Sequence, residues 1–376
     1  MDKKKKVLIC GILPPPTFGH SMLYQMLMNS RFVDEFDVTF LNMGFWTYGK
    51  HKKITADKFF KLVKYYLQFI WLVFIKRPDF VLYNISFYKM PFLKDALFCF
   101  TGRLLGCPYV IHDMGRYSRE LYDSSSWMMK KIVRAYIKWA AASIIQGESV
   151  RSAYEGFVDQ EKLWVVPGCV EDTGSLDVPV WERDGKVNVL YFSFLSKEKG
   201  IYTAFSVVPK VLEQNPAVKF NFAGPIESGK VKEDLNVLLE RFPKNTEYLG
   251  YVEDARKRTE YFRNADIFIF PTCRETFGLV LLHAMAEKLP VIASTEGVIP
   301  EIVEEGKNGF LINKGDDEQL AERILRLASD QKLRETIGEA NRKRYLKVYL
   351  PQEYERNMIE AFEAISQMSS MKETYV

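Results

Sequence analysis

The chain has 376 residues, 47% hydrophobic and 27% charged, which is enough for two domains of ordinary size and too apolar for a disordered segment. Its five cysteines (Cys10, Cys99, Cys107, Cys169 and Cys273) are scattered and odd in number and its four histidines are dispersed, so neither a disulfide framework nor a His/Cys metal cluster is indicated. Net charge is only +4, but residues 1–175 hold 24 Lys and Arg against 16 Asp and Glu, while the rest holds 28 against 32; a basic first half and a mildly acidic second half fit two domains with different partners.

The start, "MDKKKKVLIC", is a basic tip followed by a first strand. The apolar run stops within a few residues at "PPP" and no small-residue cleavage site follows, so it does not read as a signal peptide. No window reaches about 18 uncharged apolar residues, so no transmembrane helix is expected. Next come a helix at "SMLYQMLMNS", a strand at "FDVTFLNM", a long helix at "DKFFKLVKYYLQFIWLVFIKR", and strands at "PDFVLYNIS", "PYVIHD", "ASIIQGES" and "KLWVVPG" with helices between. The polar stretch "GCVEDTGSLDVPVWERDGK" interrupts this rhythm and reads as a linker. Strands at "VNVLYFSF", "VKFNFAG", "TEYLGYV", "ADIFIFPT", "PVIAS" and "GFLI" follow, separated by helices such as "GIYTAFSVVPKVLEQN" and "DEQLAERILRLASD". The alternation predicts an α/β chain of two doubly wound parallel-sheet domains. The expected boundaries are 1–172 for the first domain, 173–186 for the linker, 187–350 for the second, and 351–376 for a terminal helix that crosses back to the first. Sheets of this kind bind ligands at the carboxyl ends of their strands, where helix N-termini attract phosphate, so a phosphorylated ligand between facing domains is expected.

The stretch "PTCRETFGLVLLHAMA" carries the strongest chemical signal. A strand ends at Pro271, a loop holds Glu275, and a helix begins near Phe277-Gly278. Gly278 lets a phosphate approach the backbone and the amides of the first turn can bind it. Glu275 sits where it can reach the ligand beyond the phosphates, and His283, eight residues on, projects near the same face. A capping acid and a core-facing histidine fit the same spacing.

From Asn264 to Ile312 the sequence "NADIFIFPTCRETFGLVLLHAMAEKLPVIASTEGVIPEIVEEGKNGFLI" closely resembles the C-terminal signature of the retaining glycosyltransferase family 4, which has the GT-B fold of two Rossmann-like domains facing a central cleft. The resemblance covers most of the rest of the chain more loosely. It implies that Glu275 faces the donor sugar and that the amides of Phe277, Gly278 and Leu279 lie by the diphosphate. The family's second Glu, which holds the ribose hydroxyls, is His283 here. A neutral imidazole cannot take both hydroxyls as a carboxylate can. In "YFSFLSKEKGIYTAF" the family places an Arg and, five residues later, a Lys before Gly, both against the diphosphate. Lys199 and Gly200 match the second element, whereas Phe194 stands in the Arg place, leaving Lys197 as a substitute. On its own "KEKG" would be a solvated turn.

In "GILPPPTFGHS" only Gly19 stands where the family has a Gly pair for the distal phosphate and the acceptor; the bland reading is a strand-to-helix loop capped by Ser21. His112, at the end of "PYVIH", resembles the family's histidine beside the donor sugar, although a strand-end histidine is more often structural. Arg116 and Arg119 follow it and could meet an acceptor phosphate. Gly224, and Val252 after Gly250-Tyr251, mark loops that in the family approach the nucleotide.

The helix "KFFKLVKYYLQFIWLVFIKR" is basic and aromatic, with Lys58, Lys61 and Lys64 at three-residue spacing. It fits a helix resting on anionic lipid and equally a packed helix with a snorkelling basic edge. "WMMKKIVRAYIKW" and "FYKMPFLK" extend the same character, and no nucleic-acid motif accompanies them.

The expectation is therefore a metal-independent, cofactor-free, retaining glycosyltransferase. It would carry a sugar from a UDP-sugar or GDP-sugar to an acceptor hydroxyl in cell-surface polysaccharide or lipid-linked glycan synthesis. It would work in the cytoplasm, peripherally at the inner face of the membrane. Lys199, Glu275 and His112 are the expected catalytic residues; Gly19, Gly224, Val252, Phe277, Gly278, Leu279 and His283 are expected to bind the nucleotide sugar. The alternatives are a GT-B sugar-nucleotide 2-epimerase and a degenerate, non-catalytic GT-B binding module.

Overall fold

The computed structural model describes residues 4–15, 17, 19–44, 56–86, 88–115, 118–182 and 184–373, with side chains to 368. The chain divides into two compact units: Met1–Gly168 with Pro351–Val376, and Cys169–Leu350.

In the first unit the strands are β1 (Lys6–Gly11), β2 (Asp37–Asn42), β3 (Phe80–Asn84), β4 (Tyr109–Asp113), β5 (Ala142–Ile145) and β6 (Leu163–Val165). They form one parallel sheet in the order β2-β1-β3-β4-β5-β6. β1, β3, β4 and β5 are near-continuous apolar runs because both faces of the sheet are covered. The helices are α1 (Gly19–Met28), α2 (Phe32–Glu35), α3 (Ala56–Lys76), α4 (Lys89–Leu104), α5 (Ser118–Asp123) and α6 (Trp127–Trp139). The steps β2→β3, β3→β4 and β4→β5 all run the same way across the sheet, so right-handed crossovers put α3, α4 and α6 in one layer. Ring contacts join that layer: Tyr66 of α3 to Phe98 of α4 at 5.3 Å, and Phe100 of α4 to Trp139 of α6 at 5.2 Å. The step β1→β2 runs the other way and sends α1 to the opposite face.

The second unit has β7 (Val187–Phe192), β8 (Val218–Ala223), β9 (Thr246–Gly250), β10 (Ile267–Phe270), β11 (Val291–Ser294) and β12 (Gly309–Ile312). Their order is β12-β11-β10-β7-β8-β9, again all parallel. The helices are α7 (Ile201–Gln214), α8 (Gly229–Arg241), α9 (Ala255–Arg263), α10 (Leu279–Ala286), α11 (Ile299–Ile302), α12 (Asp317–Ser329) and α13 (Gln331–Val348). The core is built from Val189, Tyr191, Ile267, Ile269, Ile292 and Phe310 of the sheet against Ile201, Val208, Leu320 and Ile324 of α7 and α12. Residues 173–182, expected as a linker, lie along α9: Arg263 donates to the Thr173 carbonyl at 2.8 Å, and Trp181 Nε1 donates to Glu260 at 2.9 Å.

The last helix, α14 (Pro351–Glu373), belongs to the first unit. Its buried Tyr354, Met358, Phe362 and Ile365 share one face, and the Phe362 ring meets Phe32 at 5.3 Å and Phe80 at 6.5 Å.

Each sheet has one place where strand order reverses: between β1 and β3, and between β7 and β10. Loops leaving the carboxyl ends at such a reversal diverge to opposite faces and open a crevice.

Candidate functional site

At the second reversal the loops after β7 and β10 are bound to each other. The Glu198 carbonyl accepts from the amides of Cys273 at 2.8 Å and Arg274 at 3.0 Å, and from the Thr272 hydroxyl at 3.2 Å. Gly200 caps α7 with φ +74°, and a Cβ there would lie 1.8 Å from the Pro271 carbonyl oxygen. Only glycine permits both the backbone angle and that approach. The result brings Lys199 to Glu275: Lys199 Nζ donates to Glu275 Oε2 at 2.8 Å and to the Arg274 carbonyl at 3.4 Å. Both side chains keep part of their surface in solvent, 27% for Lys199 and 16% for Glu275. The other Glu275 oxygen accepts from the Thr276 amide at 2.9 Å, which fixes the carboxylate beside α10.

Gly278 caps α10 in the left-handed region, φ +82°, and offers no side-chain oxygen to the first-turn amides. That leaves a helix N-terminus suited to an anion beside the Lys199–Glu275 pair. Leu279 is the first residue of α10. Phe277 is buried and its ring faces Tyr349 at 6.3 Å, so its side chain is a packing anchor for the turn. Gly297, after β11, was not singled out from sequence. A Cβ there would come within 2.5 Å of the Glu275 carbonyl oxygen, so the loop clamps the Glu275 backbone from the other side.

His283 sits on the second turn of α10, half-buried, with its ring 5.9 Å from that of Phe262 on α9. Burial, and then the charge of Arg258, hold its pKa well below the ordinary imidazole range, so it is neutral. Arg258 of α9 is also half-buried, and its Nε has no hydrogen-bond partner among the described residues. Sequence reading missed this cation because it lies 25 positions before His283 on another helix. Phe194, in the place where the resemblance puts an Arg, is half-buried, and Lys197 is exposed.

Gly224 follows β8 directly, at φ +131°; a Cβ there would be 1.9 Å from the Ser193 carbonyl oxygen, so the β8 loop presses on the β7 loop. Its amide donates to Gly250 at 2.9 Å. Val252 is half-buried in the loop after β9, next to exposed Tyr251. Lys199, Gly224, Val252, Glu275 and α10 thus all stand at the carboxyl edge of one sheet.

In the first unit His112 and Asp113 end β4, both fully enclosed. His112 Nδ1 lies 3.0 Å from the Tyr24 hydroxyl of α1, with the rings edge to face. Burial, and then His20, lower the His112 pKa to about 3, so it is neutral and cannot serve as a resident positive charge. Asp113 moves the other way. Burial raises its pKa to about 7 against the hydrogen bonds from Tyr154 at 2.6 Å and the Gly115 amide at 2.7 Å. Gly19 opens α1, which places Ser21 buried inside the first turn rather than at the cap expected as its bland role. Arg119 is engaged with Asp123 at 3.4 Å and the Glu155 carbonyl at 3.1 Å, and Arg116 lies outside the described residues. Among the described residues no group of three or more His, Cys, Asp or Glu is arranged to hold a metal ion.

Residues 178–344 match the family described as Glycosyl transferases group 1. The chain is 34% identical over 146 residues to the sulfoquinovosyl transferase SQD2 of Arabidopsis thaliana, which is 38% of this chain and 28% of that protein. It is 32% identical over 154 residues to the capsular polysaccharide biosynthesis glycosyltransferase CapM of Staphylococcus aureus, 41% of this chain and 40% of that one. The matches with these two relatives span less than half of their length. Among solved structures, sucrose-phosphate synthase from Thermosynechococcus elongatus shares the fold with a TM-score of 0.76 at 16% identity, over 97% of this chain and 100% of that one. Anabaena HepE, in complex with UDP, does so with a TM-score of 0.73 at 16% identity, over 96% and 100%.

Proposed function

We propose, from the match of residues 178–344 to the family described as Glycosyl transferases group 1, that the protein is a retaining, metal-independent glycosyltransferase of family 4. It takes a nucleotide diphosphate sugar as donor and a saccharide hydroxyl as acceptor, in cell-surface polysaccharide or lipid-linked glycan synthesis. The observation that carries this reading is the Lys199–Glu275 pair, 2.8 Å apart at the strand-order reversal and beside the glycine-capped start of α10. A leaving diphosphate gains negative charge as the glycosidic bond breaks. A lysine and helix amides already held in place stabilise that charge without reorganising. Glu275, fixed by Lys199 and the Thr276 amide, is then placed to orient the sugar. The departing phosphate oxygen takes the proton of the acceptor hydroxyl as the new bond forms on the same face, so no protein nucleophile is required.

A uridine donor is the first to test, because the HepE structures were obtained with UDP and UDP-glucose. GDP-sugars form the second set. The acceptor is a lipid-linked saccharide met at the inner membrane face. The test is donor binding by calorimetry, followed by donor hydrolysis or transfer in the wild type and in Glu275→Ala. Binding of a sugar nucleotide with turnover lost in the variant supports the reading; a wild type that binds no sugar nucleotide removes it.

A further inference from the structure

The layer of α3, α4 and α6 turns apolar side chains outward. On α3 only Phe69 and Val73 are fully buried. Phe60, Val63, Leu67, Trp71 and Phe74 recur at three- and four-residue steps and therefore share a face. They are exposed, Phe60 by 69% and Trp71 by 58%. On α4, Met90, Leu93 and Leu97 follow the same steps, with Leu104 seven residues, about two turns, further on and 87% exposed. A helix packed in a layer has its apolar stripe toward the sheet and polar residues outside; here the outer stripe is apolar too. An exposed patch of this extent on neighbouring helices marks an interaction surface.

Charge identifies what it meets. α3, α4 and α6 together carry eleven Lys and Arg and two acids. Of those acids Asp95 is buried and Asp57 is paired with Lys61 at 2.9 Å. The outer stripe of α6 is Lys131, Arg134 and Lys138, with exposed tryptophans at both helix ends. Lys131 sits 4.1 Å from the ring centre of Trp127. On α3, exposed Lys64 and, one step further round, Lys61 flank the apolar stripe. Apolar stripes edged by Lys and Arg, with Trp at the boundary, complement the interface of an anionic bilayer. No helix among the described residues is long and apolar enough to cross a membrane.

We propose that the outer faces of α3 and α4 insert into the interfacial layer of an anionic membrane, with α6 and the α3 lysine flank held at its headgroups. This deepens the membrane contact in the proposed function and rests on it: the contact is made by inserted apolar side chains and not by charge alone. The predicted result is that the protein co-floats with phosphatidylcholine vesicles containing phosphatidylglycerol and stays bound when salt screens the lysines. Trp71→Glu and Leu97→Glu each weaken binding by about tenfold or more, because each removes a buried apolar contact and adds a repelled charge. Lys131→Glu with Lys138→Glu weakens binding at low salt by about fivefold per lysine. Both apolar residues are exposed, so melting and circular dichroism should not change.

Binding that salt abolishes and the apolar variants leave intact overturns insertion while keeping peripheral contact. Failure to bind any vesicle overturns both. Self-association without lipid, detected by ultracentrifugation and lost in Trp71→Glu, makes a second copy of this chain the occupant and also overturns the proposal. Calorimetric donor binding without lipid separates the two readings. A protein that binds donor but not vesicles loses only the docking surface. One that binds vesicles but no donor loses the transferase reading.

Discussion

The two units use the same wound α/β plan and put opposite things at its edges. In the second unit the carboxyl ends of the strands present a charged, partly solvated pair, Lys199 and Glu275. In the first, the corresponding ends hold His112 and Asp113, enclosed and held neutral or near neutrality by burial. The outer surfaces differ the other way. Of the described large hydrophobic residues that are exposed, sixteen lie in the first unit and four in the second. One unit spends its polarity at the sheet edge and keeps an ordinary exterior. The other keeps its sheet edge nearly uncharged and turns apolar and basic residues outward. The fold permits both because strand-end loops and outer helix faces are the two parts of the plan that the core does not dictate.

The largest expected effect comes from removing what is peculiar to the second unit's edge. Glu275→Ala and Lys199→Ala should each lower turnover by about a hundredfold or more, since each takes away a group held where charge develops; steady-state kinetics with the donor found by calorimetry will read this. Gly200→Ala should destabilise the second unit by about 4 kcal/mol or more, because its Cβ overlaps the Pro271 carbonyl. A denaturant melt that moves by less would show that the two loops can separate. His283→Glu restores a carboxylate beside Arg258 and should tighten donor binding about tenfold, or ~1.4 kcal/mol. Weaker binding would mean that the imidazole has a role of its own.

The smallest effect concerns the enclosed pair of the first unit. His112 has a folded pKa lowered to about 3, so its stabilisation is full above the unfolded value and is lost as pH falls from about 6.5 toward 3. Asp113 has a folded pKa raised to about 7, so the folded state holds a proton that the unfolded state has released, and stability falls as pH rises from about 4 to 7. The two slopes oppose each other between about pH 4 and 6.5. Asp113→Asn removes the falling one, so melting temperature should climb more steeply with pH in that window than in the wild type. An unchanged profile would mean that Asp113 titrates normally.

Much of the site could be read from the chain because its parts are local. The Pro271 strand end, Glu275 and the Gly278 cap are contiguous, and "KEKG" is a single turn. That Lys199 reaches Glu275 could not be read, since 76 positions separate them and the contact depends on β7 and β10 being neighbours. Arg258 was invisible for the same reason: its charge acts on His283 only because α9 and α10 are brought near each other by the fold. The carboxylate of Glu275 is split between Lys199 and the Thr276 amide, a sharing that its place in the sequence does not show. Ser21 was misjudged because α1 starts at Gly19, three residues earlier than a cap at Ser21 requires.

Sequence alone determined the alternation of strand and helix, since hydrophobic period and turn residues act over a few positions. It also determined the chemistry available in each strand-end loop. Tertiary structure decided direction. An apolar stripe on α3 looks the same in sequence whether it faces a sheet or water. Only right-handed crossovers, which put α3, α4 and α6 in one layer with Phe69 and Val73 turned inward, left the second stripe outside.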